Sequence, residues 1–146
     1  MDAQQVEIIG RNWLVNRIIE DGLEVARPER DRGVDLIAYA DLAEAGGFVA
    51  RPIQMKAATR ARFGIDKRFA LIAELLVVFV WLEEEAAFTL SYPEAVRVGE
   101  EMGYIDTGSW RLRGKYDTTR PSARLRTVLE PYRMGPGEWR RRIAGA

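Results

Sequence analysis

Three polar residues in two short apolar segments have the types and the spacing that metal-dependent phosphate chemistry requires. Asp35 begins the first segment, and Gln54 and Lys56 lie two residues apart in the second. Side chains two residues apart on a β-strand share one face, so the amide and the ammonium group point to the same side. A carboxylate and an amide oxygen are hard ligands for a divalent cation, and a lysine beside them can bind a phosphate. The pattern therefore predicts a combined cation and phosphate site.

A β-hairpin is the element that could bring these three residues together. Val34–Tyr39 and Phe48–Met55 are rich in apolar residues, as strands are, and Gly46-Gly47 lies in the connection between them. Pairing of the two strands would make the carboxylate, the amide and the ammonium group converge on one point.

An α-helix is predicted before this hairpin, from Gln4 to Asp21, with Gly22 ending it. Apolar residues at approximately helical spacing predict one buried face. The residues of that face are Val6, Ile9, Trp13, Ile18 and Ile19.

The remaining sequence predicts an α/β fold in a single domain. Leu76–Leu82 is almost uninterrupted β-branched and aromatic sequence, which is typical of a strand covered on both faces. The other predicted elements are a strand at Leu23–Ala26, a turn region at Thr59–Asp66, a short helix or loop at Lys67–Leu75, an edge strand at Ala87–Ser91, a helix at Tyr92–Met102, a loop or short hairpin at Thr107–Thr119, a helix at Pro121–Tyr132 and a last short helix after Gly135-Pro136-Gly137. The domain spans residues 1–146, with a core over about residues 4–91 and a C-terminal helical extension over about residues 92–146 that adds packing.

The amino-acid composition limits the catalytic groups that this chain can use. The chain has no cysteine and no histidine, which excludes disulfides, thiolate zinc sites and the commonest general base. Catalysis would have to use carboxylates, amides, lysine and arginine, or a bound metal ion.

The formal net charge is zero, with 19 arginines and 3 lysines. No apolar run approaches the length of a membrane span and no signal peptide is visible, so the cytoplasm is the expected location.

The order of these features resembles the PD-(D/E)XK nuclease superfamily. The resemblance covers roughly residues 4–82 and consists of a helix, a strand, the Gly33-Val34-Asp35 strand and the Gln54-Met55-Lys56 strand. The pattern with glutamine at position 54 resembles that of the Mrr-type restriction endonuclease branch of this superfamily. Archaeal Holliday junction resolvases are relatives of that branch. The resemblance implies a restriction endonuclease-like fold, with a mixed β-sheet core flanked by helices. It also implies weakly held Mg²⁺ or Mn²⁺, a nucleic-acid substrate that is expected to be DNA, and a homodimer as one arrangement for cutting both strands.

The family's roles transfer to specific positions of this chain. Asp35 and Gln54 would be metal ligands, and Lys56 would act near the scissile phosphate. Relatives usually add a glutamate about eleven residues before the glycine that ends the first helix, and Arg11 occupies that position here. Glu7, one helical turn earlier, shares that face and is the substitute ligand.

Arginines near the predicted site are the candidate nucleic-acid contacts. Arg60 and Arg62 follow the lysine strand closely, and Arg51 lies within the same strand. Guanidinium groups can bind phosphates through paired hydrogen bonds. Solvated turn residues without a partner are the alternative interpretation of these side chains.

Two other classes of protein remain open. A catalytically degenerate nuclease fold that binds nucleic acid or protein would account for Arg11 and Gln54, and would bind without metal. A small accessory domain with an unrelated α/β fold would use its four tryptophans in a core or an interface. The sequence leaves DNA versus RNA, the target site and the pathway undetermined.

Overall fold

The computed structural model of the protein describes residues 1–145, so the predicted extension over residues 92–146 ends one residue outside the described part. The helices and strands are α1 (Ala3–Glu20), β1 (Glu24–Ala26), β2 (Leu36–Leu42), β3 (Gly47–Ala58), β4 (Phe63–Asp66), β5 (Leu76–Trp81), β6 (Ala86–Leu90), α2 (Tyr92–Met102), α3 (Gly108–Arg113), β7 (Lys115–Thr118), α4 (Ala123–Leu129) and α5 (Glu138–Ala144). Short 3-10 turns at Ala43–Ala45, Lys67–Leu71, Tyr104–Asp106 and Glu130–Tyr132 connect some of them.

A five-stranded mixed sheet in the order β1-β2-β3-β5-β6 forms the centre of the fold. The predicted hairpin is confirmed, because β2 and β3 pair antiparallel from Leu36 opposite Ile53 to Leu42 opposite Gly47. Strand β3 pairs in parallel with β5 on its other side. The central strand is therefore the one that carries Gln54 and Lys56.

Both faces of the sheet are covered by helices, which confirms the predicted α/β class. Every residue of β5 is buried, as its apolar sequence predicts, and β6 lies beyond it at the edge of the sheet. One face packs against α1 and α5 through Leu14, Ile18 and Trp139. The opposite face packs against α2 and α4, with side chains such as Val98 and Leu125.

Helix α1 buries a narrower stripe than its sequence predicts. Its fully buried positions are Val6, Gly10, Leu14 and Ile18, each four residues after the previous one. Ile9 and Ile19 were predicted to be buried but are 44% and 52% exposed. The buried stripe runs through Gly10, because a residue without a side chain lets the helix lie directly on β3.

A second, two-stranded sheet corrects two predictions about loops. Thr59–Asp66 was predicted to be a turn region but contains β4, and Thr107–Thr119 contains helix α3 and strand β7. Strands β4 and β7 pair antiparallel, with Phe63 opposite Thr118 and Asp66 opposite Lys115. The local sequence carries little signal for either strand, because each has four residues and their partners are about fifty residues apart in the chain.

Replacement of Gly10 by valine is expected to destabilise the fold. A Cβ atom at Gly10 would lie 2.6 Å from the Cβ of Ala57, and both atoms are attached directly to the backbone. The helix would have to move off β3, so the loss from overpacking exceeds the gain in helix propensity. We expect the free energy of unfolding, measured by urea denaturation, to fall by about 1–3 kcal/mol.

Gly108→Ala is the matched control for this substitution. Gly108 lies at the start of α3, and nothing would come within 4 Å of a Cβ atom there. An unchanged or slightly higher stability is expected for this variant. A Gly10→Val protein as stable as the wild type would show that α1 does not depend on close contact with β3.

Candidate functional site

Asp35 is held across the β2–β3 hairpin by backbone hydrogen bonds. The N–H of Asp35 donates to the carbonyl oxygen of Ile53 at 2.8 Å. Its carboxylate atom Oδ2 accepts from the N–H of Met55 at 2.7 Å. These contacts place the carboxyl group beside the segment of β3 that carries Gln54, and leave Oδ1 as the oxygen that can face a ligand.

Gln54 and Lys56 lie on β3 immediately beside this contact. Gln54 is half-buried and is located between the two residues whose backbone groups bond to Asp35. Lys56 is exposed, and its ammonium nitrogen lies 5.9 Å from the centre of the Phe69 ring. The period of two along a strand puts both side chains on the same side of β3.

Asp35 lies in a partly buried site with charged residues near it. Burial raises the pKa of its carboxyl group above the ordinary value, and the negative charges of Asp31 and Glu7 raise it further. The hydrogen bond from Met55 and the positive charge of Lys56 oppose the rise. Carboxylates that repel each other across a partly buried site create an environment that a bound cation would stabilise.

A cavity of about 310 Å³ opens next to these residues. Glu7 from α1 and Lys56 from β3 both line it, whereas Asp35 and Gln54 lie outside its lining. Glu7 and Lys56 therefore line the same cavity, and the negative charge of Glu7 acts on the carboxyl group of Asp35. This space, the Lys56 cavity, is partly open to solvent, and the Lys56 side chain in its lining is exposed.

The β4–β7 sheet forms the far wall of the Lys56 cavity, with charged residues that the sequence did not single out as a site. Lys115 and Asp117 line it from β7, and Asp66 lines it from the end of β4. Arg68 bonds Asp66 with 2.8 Å between Nη2 and Oδ2. Burial favours the neutral acid, but the hydrogen bonds from Arg68 hold the pKa of Asp66 below its ordinary value.

The distribution of lysines was the available signal for this wall. Of the 3 lysines in the chain, Lys56 and Lys115 line the cavity. The third, Lys67, lies beside it, with its ammonium nitrogen 5.3 Å from the centre of the Trp110 ring. Because the other cations of the chain are arginines spread over the whole sequence, this clustering is the stronger indicator of a shared surface.

The three predicted nucleic-acid contacts occupy different places. Arg62 lines the Lys56 cavity and donates from both Nε and Nη2 to the carboxylate of Asp117. The side chain of Arg60 is 85% exposed and lies outside the cavity lining. Arg51 is directed elsewhere, because its Nε donates to the carbonyl oxygen of Glu74 at 3.0 Å. The structure therefore brings Arg62 to the cavity and places Arg51 and Arg60 away from it.

Arg11 is paired with Glu7, the predicted substitute ligand on α1. Its Nη1 lies 3.9 Å from Oε1 of Glu7, one helical turn earlier on α1. The Glu7 side chain is 60% exposed, so this ion pair is weak and salt-sensitive. Glu7 can therefore exchange Arg11 for another cation at small cost.

The donor atoms around Asp35 have the chemistry of a hard-cation site with few protein ligands. Across residues 1–145, no three acidic residues converge closely enough to hold a metal ion alone. Asp35 and Glu7 offer carboxylates, and Gln54 offers an amide oxygen on the adjacent strand. Mg²⁺ suits such a set because it keeps several water ligands and takes oxygens from a phosphate.

Comparisons with known proteins identify a similar structure. The bacterial homing endonuclease I-Ssp6803I is similar at a TM-score of 0.51 and 17% sequence identity. The two proteins share a fold. The similarity covers 95% of this chain and 89% of the homing endonuclease chain, so it includes the C-terminal part as well as the hairpin. No family model matches the sequence, and the comparison with curated proteins also gave no match.

The homing endonuclease places the α/β architecture among folds that nucleases use. At 17% identity the similarity concerns the fold and carries no residue-level role. Within the described part of the chain, none of the helices combines the length and the apolar sequence that crossing a membrane requires.

Proposed function

We propose that this protein is a metal-dependent nuclease of the PD-(D/E)XK type that hydrolyses phosphodiesters in nucleic acid, with DNA as the expected substrate. The observation that carries the proposal is geometric: Oδ2 of Asp35 accepts from the N–H of Met55 at 2.7 Å, between Gln54 and Lys56 on the central strand. The fold shared with a homing endonuclease supports it. A solvent-open cavity beside the hairpin gives a substrate access to Lys56.

Asp35, Gln54 and Glu7 are the residues that would hold Mg²⁺ or Mn²⁺. When bound, such an ion lowers the pKa of water and polarises a phosphoryl oxygen. The Met55 N–H fixes the orientation of the Asp35 carboxylate, which limits the reorganisation needed for binding. With two carboxylates at most, the affinity depends on water and on substrate oxygens, so the ion is held weakly in the absence of nucleic acid.

Lys56 would stabilise the charge that develops on the phosphate. An oxygen atom of water forms a bond to phosphorus and gives up a proton to solvent, the bond from phosphorus to the leaving sugar oxygen breaks, and the departing oxygen receives a proton from solvent. Negative charge on the phosphoryl oxygens increases in the transition state, and the Lys56 ammonium group projects into the cavity where it can bind them. Arg62 and Lys115 would bind neighbouring phosphates and keep the strand in place.

Binding without cutting is the second candidate function. Two observations favour it: Gln54 is neutral, and Arg11 supplies a positive charge 3.9 Å from Glu7. A protein of this kind would bind nucleic acid through Lys56, Arg62 and Lys115 equally well with or without divalent cations. Metal dependence therefore separates the two candidates.

The test combines isothermal calorimetry with cleavage assays on Glu7→Gln and on the wild type. Under the nuclease hypothesis, Mn²⁺ and Mg²⁺ bind the wild type and support cleavage of plasmid or single-stranded DNA, and a chelator stops it. Glu7→Gln removes one of the two carboxylates, so we expect cation affinity and cleavage to fall by about 10- to 100-fold.

Glu20→Gln is the matched control, because Glu20 is an exposed glutamate at the other end of α1. It should retain the wild-type cation affinity. Wild-type protein that binds DNA in the presence of chelator and cuts none with either cation would refute the nuclease and support the binding module.

A further inference from the structure

A second concave surface with a large excess of positive charge lies where β3, α2 and α5 meet. The residues lining this arginine pocket, of about 350 Å³, are Arg51, Ser91, Glu94, Arg97, Arg141, Arg142 and Gly145. Four guanidinium groups and one carboxylate thus face the same space. None of these residues lines the Lys56 cavity.

Arg51 contributes a partly buried positive charge to the arginine pocket. Its Nε donates to the carbonyl oxygen of Glu74 at 3.0 Å and its Nη1 to the carbonyl oxygen of Arg142 at 3.5 Å. Burial lowers the pKa of Arg51, and the positive charge of Arg142 lowers it further, against the carboxylates of Glu74 and Glu94. The two carbonyl oxygens orient the guanidinium group but carry no formal charge to neutralise it.

The one carboxylate in the pocket is already engaged. Nη2 and Nη1 of Arg142 donate to Glu94 at 2.7 Å and 3.1 Å. Glu94 is also held at the start of α2, where it accepts from the N–H of Ser91 at 2.8 Å. Within residues 1–145, the buried Nε atom of Arg142 has no hydrogen-bond partner. A buried donor without an acceptor is unfavourable unless a ligand or water supplies one.

Arg97 and Arg141 add two exposed cations at the mouth of the pocket. Both are exposed, Arg97 on α2 and Arg141 on α5. Arg141 pairs with Glu138 on its own helix, outside the pocket lining. A small anion with several acceptor oxygens would therefore meet donors from three separate elements of the fold.

We propose that the arginine pocket is a phosphate-binding site. Guanidinium groups form paired hydrogen bonds with phosphate oxygens, and donors from β3, α2 and α5 can contact several oxygens of one phosphate group at once. The phosphate belongs either to the backbone of a nucleic acid or to a free phosphate compound. The first source rests on the proposed nucleic-acid function, and the second does not.

The arginine pocket is far enough from the Lys56 cavity to be tested separately. Arg51 precedes Lys56 by five residues on β3, which corresponds to about 16 Å of extended strand. Loss of a cation from the pocket should leave the geometry around Asp35 and Lys56 unaltered.

The first experiment measures thermal unfolding in inorganic phosphate against chloride at the same ionic strength. With a dissociation constant of about 1 mM, about 20 mM phosphate should raise the melting temperature of the wild type by about 4–7 °C. The double variant Arg97→Gln with Arg141→Gln should lose most of this shift. Lys56→Ala should keep it, which assigns the bound phosphate to the arginine pocket.

Arg124→Gln is the matched control for the loss of charge. Arg124 is an exposed arginine on α4 that donates to the carbonyl oxygen of Glu101, near the other end of α2. It should retain the phosphate shift. An equal shift in all variants, or no shift in the wild type, would overturn the proposal.

A second experiment identifies the source of the phosphate. If it is the backbone of duplex DNA, Arg97→Gln should reduce the slope of log affinity against log salt concentration by about one relative to Arg124→Gln. An unchanged slope together with stabilisation by inorganic phosphate assigns the site to free phosphate compounds. If the wild type binds no DNA, the nucleic-acid function fails, and the thermal experiment still tests the phosphate site.

Discussion

Asp35→Asn is expected to abolish divalent-cation binding and to reduce DNA cleavage by more than about 100-fold while making the protein more stable at neutral pH. Asp35 is the more buried of the two candidate carboxylates, and the negative charges of Asp31 and Glu7 act on it. An asparagine side chain can still accept the hydrogen bond from the N–H of Met55. The substitution therefore removes the charge and keeps the contact.

The stability effect has a definite pH dependence. Because the folded-state pKa of Asp35 is raised, the folded protein binds its proton more tightly than the unfolded chain does. The stabilisation from this protonated carboxyl group is fully present below the ordinary pKa of 3.8 and is lost as the pH rises through the folded-state pKa. The melting temperature of Asp35→Asn should exceed that of the wild type most at neutral pH, and the difference should shrink toward pH 3.8.

Asp41→Asn is the control for this comparison, since Asp41 is an exposed aspartate on β2, the strand that begins directly after Asp35. At neutral pH its melting temperature should lie close to that of the wild type. Calorimetry with Mn²⁺, cleavage assays and thermal scans over the acidic to neutral range are the measurements. A less stable Asp35→Asn protein at neutral pH, or one with wild-type cation affinity, would contradict the role assigned to this carboxylate.

Lys56→Ala is expected to lower the cleavage rate by about 10²–10³-fold with little change in stability. The lysine is exposed, and its ring contact with Phe69 at 5.9 Å is a weak stabilising interaction, so the free energy of unfolding should change by less than about 0.5 kcal/mol. DNA binding should decrease only by the loss of one phosphate contact. Single-turnover rates at saturating cation separate the chemical step from binding.

Lys67→Ala provides a lysine control from the same region that lies outside the cavity lining. It should cut DNA at nearly the wild-type rate. Lys56→Arg keeps the charge in a different geometry, so it should retain binding better than it retains the rate. Wild-type cleavage by Lys56→Ala would exclude a direct role for this side chain in the reaction.

Much of the main sheet could be predicted because its signals are local. The apolar run of β5, the glycines between β2 and β3, and the end of α2 at Gly103 each depend on a few neighbouring residues. The short strands β4 and β7 could not be predicted in this way. Their stability comes from pairing with each other and from packing beside α2, which are contacts distant in sequence.

Some residues of the candidate site could likewise be predicted from local sequence, and others depend on tertiary packing. Asp35, Gln54 and Lys56 could be selected from residue type and a spacing of two along a strand, because the hairpin brings them together whatever the rest of the fold is. The positions of Glu7 and Lys115 depend on how α1 and β7 pack on the sheet. Arg51 is the opposite case: it is close to Lys56 in sequence but lines a different pocket.

The sequence by itself determined the α/β class, the central hairpin and a chemistry limited to oxygen ligands, lysine and arginine. Only the tertiary structure decided which charges share a surface. Glu7 reaches the Lys56 cavity because Gly10 lets α1 lie against Ala57, and Asp66 and Lys115 meet through the pairing of β4 with β7. The physical reason is range: strand alternation and helix ends act over a few residues, whereas electrostatic coupling depends on distances set by packing of the whole chain.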